Sequence, residues 1–293
     1  MRLDLVLIAR HPELSRRRAR EVIEKGQVTV DGALVREAGR DVPGEADVVF
    51  DPNRRALSRA RSSLPVLYAD EHVVVVDKPA GLLTVPTGPG LGEDTALARV
   101  QDYARHRKPR GWFAERVHRL DRDTSGAIAF ALSAAARATL IQTFRDHRIL
   151  RVYLAVVARA PRETSGTIDA PLREEWAGGR RGVARPGEPS RHALTRWTLR
   201  EALPGAALLE VRLETGRQHQ IRVHLAHAGL PILGDPVYGT PPRPDEKEIA
   251  RRPLLHAFRL AFDHPITGVR VAVECPPPED FRRAITRLRR REG

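Results

Sequence analysis

Nine consecutive residues, His118-Arg119-Leu120-Asp121-Arg122-Asp123-Thr124-Ser125-Gly126, run directly into an apolar segment, Ala127-Ile128-Ala129-Phe130-Ala131-Leu132. No other feature restricts the possible folds of this chain as much. Dense charge that gives way at once to unbroken apolar sequence reads as a turn opening onto a buried strand. A rigid element of that kind can aim a side chain. The side chain best placed to be aimed is Asp121, a carboxylate between Arg119 and Arg122. Fixed positive charge keeps a carboxylate ionised, which suits nucleophilic or electrostatic work better than acid catalysis. Taken alone, the stretch also reads as a solvated turn closed by Thr124-Ser125-Gly126, so its meaning depends on the rest of the chain.

The 293 residues allow two domains, one with a sizeable core. Lysine and arginine number 50 against 37 acidic residues, a formal charge of +13 supplied mostly by arginine. Such a surface binds polyphosphates through counterion release, and the guanidinium fork also stacks on bases. Nucleic acid is therefore the expected partner, although an arginine-rich composition could give the same balance. The single cysteine, Cys275, excludes an intramolecular disulfide and a cysteine-rich zinc site. No apolar run approaches a membrane span and the N-terminus lacks a signal-peptide core, so a cytoplasmic protein without membrane contact is expected, and nothing in the sequence suggests more than a monomer.

Residues 1–51 read as a small separate α+β unit. A short helix starts at Leu3 and stops near His11-Pro12. Ser15 caps a second helix, Arg16 to Lys25, which Gly26 ends. On that helix Ala19, Val22 and Ile23 form the buried stripe. Gln27 to Val30 is a strand, Asp31-Gly32 a two-residue hairpin turn, Ala33 to Val35 its return, and Asp47 to Phe50 a closing strand. Residues 52–62 read as a polar linker, and 63–293 as the larger domain.

In the larger domain Val73 to Val76 predicts a buried central strand. Helices are expected over Asp94 to Arg105 and Ser133 to His147, the second with Ala136, Leu140, Ile141 and Phe144 inward. Strands are expected over Val152 to Val157, Ala193 to Leu199, Leu208 to Leu213, Phe258 to Phe262 and Val269 to Val273. A basic C-terminal helix spans Arg282 to Arg291, with Phe281, Ile285 and Leu288 inward. Residues 173–192, rich in glycine and arginine, read as a surface excursion able to lie over RNA. The glycines between Thr87 and Gly92 superficially suggest a dinucleotide loop. Pro86 and Pro89 interrupt it and no acidic residue follows at the required distance, so it reads as a plain loop.

A second charged cluster, Thr215-Gly216-Arg217-Gln218-His219-Gln220-Ile221-Arg222, follows a strand and opens a helix. Arg217, His219 and Arg222 thus stand near a helix N-terminus, which favours anions. Together with Lys78-Pro79-Ala80-Gly81-Leu82, the Asp121 segment, Gly229-Leu230-Pro231-Ile232-Leu233-Gly234-Asp235 and Leu255-His256-Ala257, it resembles the RluA-type pseudouridine synthases over roughly residues 64 to 278. The small N-terminal unit resembles the RNA-binding module named after the fourth protein of the small ribosomal subunit.

These resemblances imply an α+β protein whose catalytic domain has a mixed, largely antiparallel sheet flanked by helices. They imply isomerisation of uridine to pseudouridine in structured RNA, a redox-neutral change for which no cofactor is expected. Large-subunit ribosomal RNA is the expected substrate and transfer RNA the second candidate. Asp121 matches the family's catalytic aspartate, Tyr153 its active-site tyrosine, and Arg222 the arginine that pairs with the aspartate, with Arg217 as alternative. Arg119 matches the residue that enters the space left by the extruded nucleotide. Arg217 and His219 are further substrate-binding candidates, and Ser15, Arg16, Arg17 and Arg20 are expected on folded RNA. Lys78 reads either as a phosphate contact or as a shaper of its turn. Position 151 is arginine where the family often has lysine.

Other readings are weaker. Asp123 could form a glycosidase-like pair with Asp121, but reads better as a local hydrogen-bonding residue. His219, His224 and His227 lack an acidic or sulfur partner and lie beside arginines, so no metal is expected. His118 and His256 read as structural hydrogen-bonders. A non-catalytic RNA-binding or ribosome-assembly factor on the same fold is the main rival; an RNA methyltransferase would need the cofactor loop that the 87–92 segment fails to provide.

Overall fold

The computed structural model describes residues 1–35, 37–52, 63–86, 93–174, 180–240 and 248–290, apart from the side chain of Leu34. Most of the expected linker and the 87–92 glycine segment lie outside the described residues, as do residues 175–179 of the 173–192 excursion. The chain divides into two compact units, Met1–Ser62 with Pro86–Asp94, and Ser63–Val85 with Thr95–Gly293.

The first unit contains α1 (Leu3–Arg10), α2 (Arg16–Glu24), β1 (Val28–Val30), β2 (Ala33–Leu34) and β3 (Val48–Phe50). The Ser15 hydroxyl accepts from the Arg18 N–H at 3.2 Å and so caps α2. The strands form an antiparallel sheet in the order β2-β1-β3. Leu3, Leu7, Ala19, Val22, Ile23 and Val28 make its core.

The second unit is built on a ten-stranded sheet. Its strands and helices are, in chain order, β4 (Val66–Ala69), β5 (Val73–Lys78), α3 (Ala96–Arg107), β6 (Glu115–Arg116), β7 (Ser125–Ala131), α4 (Ala134–Arg145), β8 (Leu150–Val157) and β9 (Ser165–Asp169). A short pair, β10 (Leu172–Arg173) and β11 (Ser190–Arg191), follows. The unit ends with β12 (Leu194–Leu203), β13 (Ala206–Leu213), α5 (Gln220–His227), β14 (Leu255–Asp263), β15 (Arg270–Glu274) and α6 (Glu279–Arg289). The main path runs β4-β5-β7-β14-β8-β13-β12-β9, with β6 on β7 and β15 on β14. Among the described residues of this sheet only β7 and β14 pair in parallel; the other strand pairs are antiparallel.

Both faces of the sheet centre are covered, which is why β5 and β7 are apolar without alternation. Val74, Val76, Ile128 and Phe130 pack with α3 and α5 on one face, while Val73, Val75, Ala127 and Ala129 pack with α4 on the other. The parallel contact depends on Gly126, whose φ is +114°. A Cβ there would lie 2.3 Å from the Ala257 carbonyl oxygen. The register places Gly126 beside Ala257, Ala257 beside Tyr153, and Tyr153 beside Val211. One row across β7, β14, β8 and β13 therefore carries the end of the Asp121 turn and Tyr153.

The C-terminal helix starts three residues earlier than its basic sequence suggests, because Pro278 takes the N-cap position and Glu279 and Asp280 occupy the first turn. Among the described residues, no helix is long and apolar enough to cross a membrane.

Candidate active site

The turn before β7 is pinned from several sides. The Thr84 hydroxyl donates to the Leu120 carbonyl at 2.8 Å and accepts its N–H at 3.1 Å. Lys78 Nζ donates to the Arg122 carbonyl at 2.9 Å, and Arg252 Nη1 to that of Asp123 at 3.1 Å. Ser125 meets His256 Nδ1 at 2.9 Å, and the other His256 nitrogen donates to the Cys275 carbonyl at 2.8 Å. What emerges from this frame is Asp121, on the wall of a cleft of about 500 Å³.

Lys78 shapes this turn and is not a phosphate ligand. It is fully buried and gives its donors to the carbonyls of Pro79, Leu82 and Arg122. Burial pushes its pKa down to about 7, against the opposing pull of Asp123 and Asp121. Asp123 contributes its carbonyl to the frame, and its side chain does not line the cleft, so no carboxylate pair faces the cavity.

The arginines adjacent to Asp121 in sequence are not the groups that meet its carboxylate. Arg122 Nε turns back to the Gly81 carbonyl at 3.2 Å, and Arg119 is an exposed residue on the cleft lining. Arg222, on α5, brings Nη1 to 3.4 Å from Asp121 Oδ2, and His219 Nε2 lies 3.8 Å from the same oxygen. Arg217, the alternative partner, donates to the His192 carbonyl at 3.1 Å while still lining the cleft.

Arg222 is itself held from behind. Its Nε and Nη2 donate to the two oxygens of Asp235 at 2.7 and 2.8 Å. Side-chain exposure is 8% for Arg222, 0% for Asp235 and 18% for Asp121. The ion pair is thus sealed on the Asp235 side and open on the Asp121 side. Burial opposes charge on both partners. Their mutual hydrogen bonds and attraction outweigh it, so the Asp235 pKa falls and that of Arg222 rises. Val237 and Tyr238 add backbone N–H donors to Asp235 at 2.9 and 3.1 Å.

His219 caps α5 with a left-handed backbone, φ +59°. Tyr238 Oη accepts the Arg181 N–H at 3.1 Å and lies 3.0 Å from His219 Nδ1. In the tautomer where the phenol donates to Nδ1, the His219 Nε2–H faces Asp121. The loop preceding α5 is fixed by Gln220, whose carbonyl oxygen accepts from Thr215 Oγ1 at 2.8 Å and from the Arg217 N–H at 2.9 Å. Gly216 lets the Arg151 guanidinium approach closely, since a Cβ would come within 2.4 Å of an Arg151 nitrogen and push that side chain aside.

Tyr153 and Arg151, both on β8, complete the wall. Tyr153 is buried; burial pushes its phenol pKa up to about 12, with Asp121 adding to the rise and Arg151 opposing it. Arg151 donates to the carbonyls of Leu213 and Glu214 at 3.4 and 3.2 Å. On α4, Ala136 and Leu140 are core as expected, Phe144 packs against that core while also lining the cleft, and Ile141 lines the cleft. Asp235, Tyr238 and the cleft-facing side of α4 were given no role from sequence.

Four histidines in this unit are held neutral, largely by burial: His118, His219, His224 and His256 all have lowered pKa values, that of His118 about 3. His118 Nε2 accepts the Ala129 N–H, and His224 lies between Thr195 and Ala170. The unfolded chain then binds protons first as pH falls. Stability from these groups is complete above about pH 6.5 and is lost toward the folded-state values, at up to about 1.4 kcal/mol per pH unit for each histidine. Denaturant melts should show clear weakening between pH 7 and 5. His118→Asn, which keeps an acceptor for Ala129, should flatten that dependence; an unchanged slope would refute the assignment for this residue.

In the first unit the predicted RNA contacts are only partly free. The Ser15 hydroxyl is used as the cap. Arg20 lies 2.9 Å and Arg16 3.8 Å from the buried Asp4 carboxylate, which Arg2 also holds at 3.1 Å, while Arg17 is exposed.

Comparison with known proteins matches residues 72–227 to the RNA pseudouridylate synthase family and residues 1–49 to the S4 domain. A ribosomal large subunit pseudouridine synthase D from Pseudomonas aeruginosa is 37% identical, covering 98% of this chain and 92% of the relative. Its namesake from Xanthomonas campestris pv. campestris is 38% identical over 98% and 89%. The solved structure of human RNA Pseudouridylate Synthase Domain Containing 1 is 27% identical, covers 74% of this chain and 84% of its own, and superposes with a TM-score of 0.57. The chain belongs to the RNA pseudouridylate synthase family: it is an isomerase acting on RNA, with an S4 domain at its N-terminus.

Proposed function

We propose that this pseudouridine synthase acts on large-subunit ribosomal RNA, with Asp121 as its catalytic carboxylate. The observation that supports the assignment most strongly is the cleft lining. It holds one carboxylate, Asp121, with the Arg222 guanidinium 3.4 Å away and Tyr153 on the same wall. Relatives aligned over nearly the whole chain are named for the ribosomal large subunit, which favours that substrate over transfer RNA.

In the reaction the uridine N1–C1′ bond breaks, the uracil turns, and a C5–C1′ bond forms. C5 loses its proton and N1 gains one, so the nucleotide keeps its atoms. Asp121 supplies negative charge while sugar and base are apart, by bonding to one of them or by electrostatic stabilisation. Arg222 orients it. With a pKa near 12, Tyr153 packs against the base as a neutral phenol and accepts the C5 proton only in step with losing its own. Arg119, exposed on the cleft lining, is the side chain proposed to fill the gap left by the extruded nucleotide. His219 and Arg217 contact the substrate in this scheme, and Arg16, Arg17 and Arg20 engage folded RNA from residues 1–51. A linker over 52–62 and a catalytic domain over 63–293 complete the proposed organisation. In this reading the protein works as a monomer in the cytoplasm.

Unmodified large-subunit ribosomal RNA transcribed with tritium at uridine C5 should release that tritium to water in the presence of the protein. Tyr153→Phe should bind the transcript normally and release tritium at least about 10²-fold more slowly. Release from transfer RNA transcripts alone would overturn the ribosomal assignment.

A further inference from the structure

The cleft lining contains seven arginines against the one carboxylate. Arg222, Arg217 and Arg151 are engaged with protein carboxylates or carbonyls. Three others are not. Arg116, from β6, and Arg137 and Arg145, from α4, are exposed, and among the described residues none has an ion pair or side-chain hydrogen bond. Elsewhere on this unit surface arginines are commonly matched: Arg259 with Glu274, Arg270 with Asp263, Arg196 with Glu214 and Arg289 with Glu201. Positive charge is left unpaired on a concave wall while it is neutralised on these other faces.

The spacing on α4 is specific. Arg137, Ile141 and Arg145 recur at every fourth residue, so they form one stripe, and the two guanidiniums are rooted about 12 Å apart along the axis. That exceeds the Debye length of about 8 Å at physiological salt. Each can therefore hold an anion independently of the other, with the apolar Ile141 between them for a sugar or base.

We propose that Arg116, Arg137 and Arg145 form a phosphate track along α4 that holds the RNA backbone flanking the nucleotide drawn into the cleft. The proposal rests on RNA being the substrate and adds where the strand runs. It assigns these arginines to affinity; the reaction itself stays with Asp121.

The test is salt-dependent binding of the full-length protein to the unmodified ribosomal transcript, with single-turnover tritium release measured alongside. Substituting all three arginines by alanine should lower the slope of log Kd against log salt by about 2, at roughly 0.7 per single-strand phosphate contact. Binding should weaken at least tenfold near 0.15 M salt, and the loss should fall on Kd much more than on the rate at saturating RNA. Removing the matched pair members Arg259 and Arg270 should leave the slope unchanged. An unaltered slope and affinity in the triple variant would overturn the track, as would equal loss in the Arg259 and Arg270 control. If the unsubstituted protein released no tritium from any RNA, the catalytic reading would fail, while the binding slopes would still decide whether the track exists.

Discussion

Asp121→Asn should give a folded protein that binds RNA and forms no pseudouridine, with turnover lower by at least about 10⁴-fold, the scale on which loss of one catalytic group is felt. The substitution keeps the shape of the side chain, removes its charge and exchanges one acceptor oxygen for an amide NH2. Stability should hardly change, because Arg222 remains paired with Asp235 through two hydrogen bonds of 2.7 and 2.8 Å. RNA binding should be unchanged or slightly tighter, since a negative charge has left a cleft lined by arginines. Tritium release from C5-labelled transcript measures the chemistry, and filter binding of the same transcript measures affinity. Turnover within a hundredfold of the unsubstituted protein would remove Asp121 from the reaction, whatever its position.

The Asp121 turn was legible because charge and apolar sequence meet there abruptly, and that contrast marks a strand edge without any partner being known. Its guanidinium partner was not legible by proximity: the arginines at 119 and 122 are adjacent, yet the one that meets the carboxylate is 101 residues away. The helix-start cluster offered Arg217, His219 and Arg222 as anion-facing groups, and the family resemblance singled out Arg222 among them. Ile141 has the spacing of a core face, and helical periodicity cannot distinguish a buried interior from the wall of a cleft. The edge strand β9, Ser165–Asp169, went unread because it is mostly exposed and lacks an apolar run, and β4, Val66–Ala69, because one exposed and three half-buried residues show no alternation. Asp235 and Tyr238 sit in a loop, where no period exists to expose a role. A possible signal was an acid in an otherwise apolar segment, Pro231-Ile232-Leu233-Gly234-Asp235, since an acid buried there needs a cation to meet it.

Removing that acid should be costly in a way that removing Asp121 is not. Asp235 is fully buried, and Asp235→Ala would leave the Arg222 charge with little solvent and only the more distant Asp121 to face. Breaking one side of a buried pair of this kind costs about 3–5 kcal/mol, so a marked fall in denaturation midpoint is expected. Turnover should fall as well, by roughly 10² or more, because a guanidinium freed from its bidentate anchor no longer aims the Asp121 carboxylate. Lost stability alone could mimic this, so the decisive variant replaces both partners, Arg222→Met with Asp235→Leu. Exchanging a buried ion pair for apolar side chains of similar size is often neutral or stabilising. The double variant should therefore recover most of the lost midpoint while its turnover stays low, and the remaining activity should report positioning rather than folding. Recovery of both stability and turnover would show that the Asp235–Arg222 pair is scaffolding and that Asp121 needs no cation beside it.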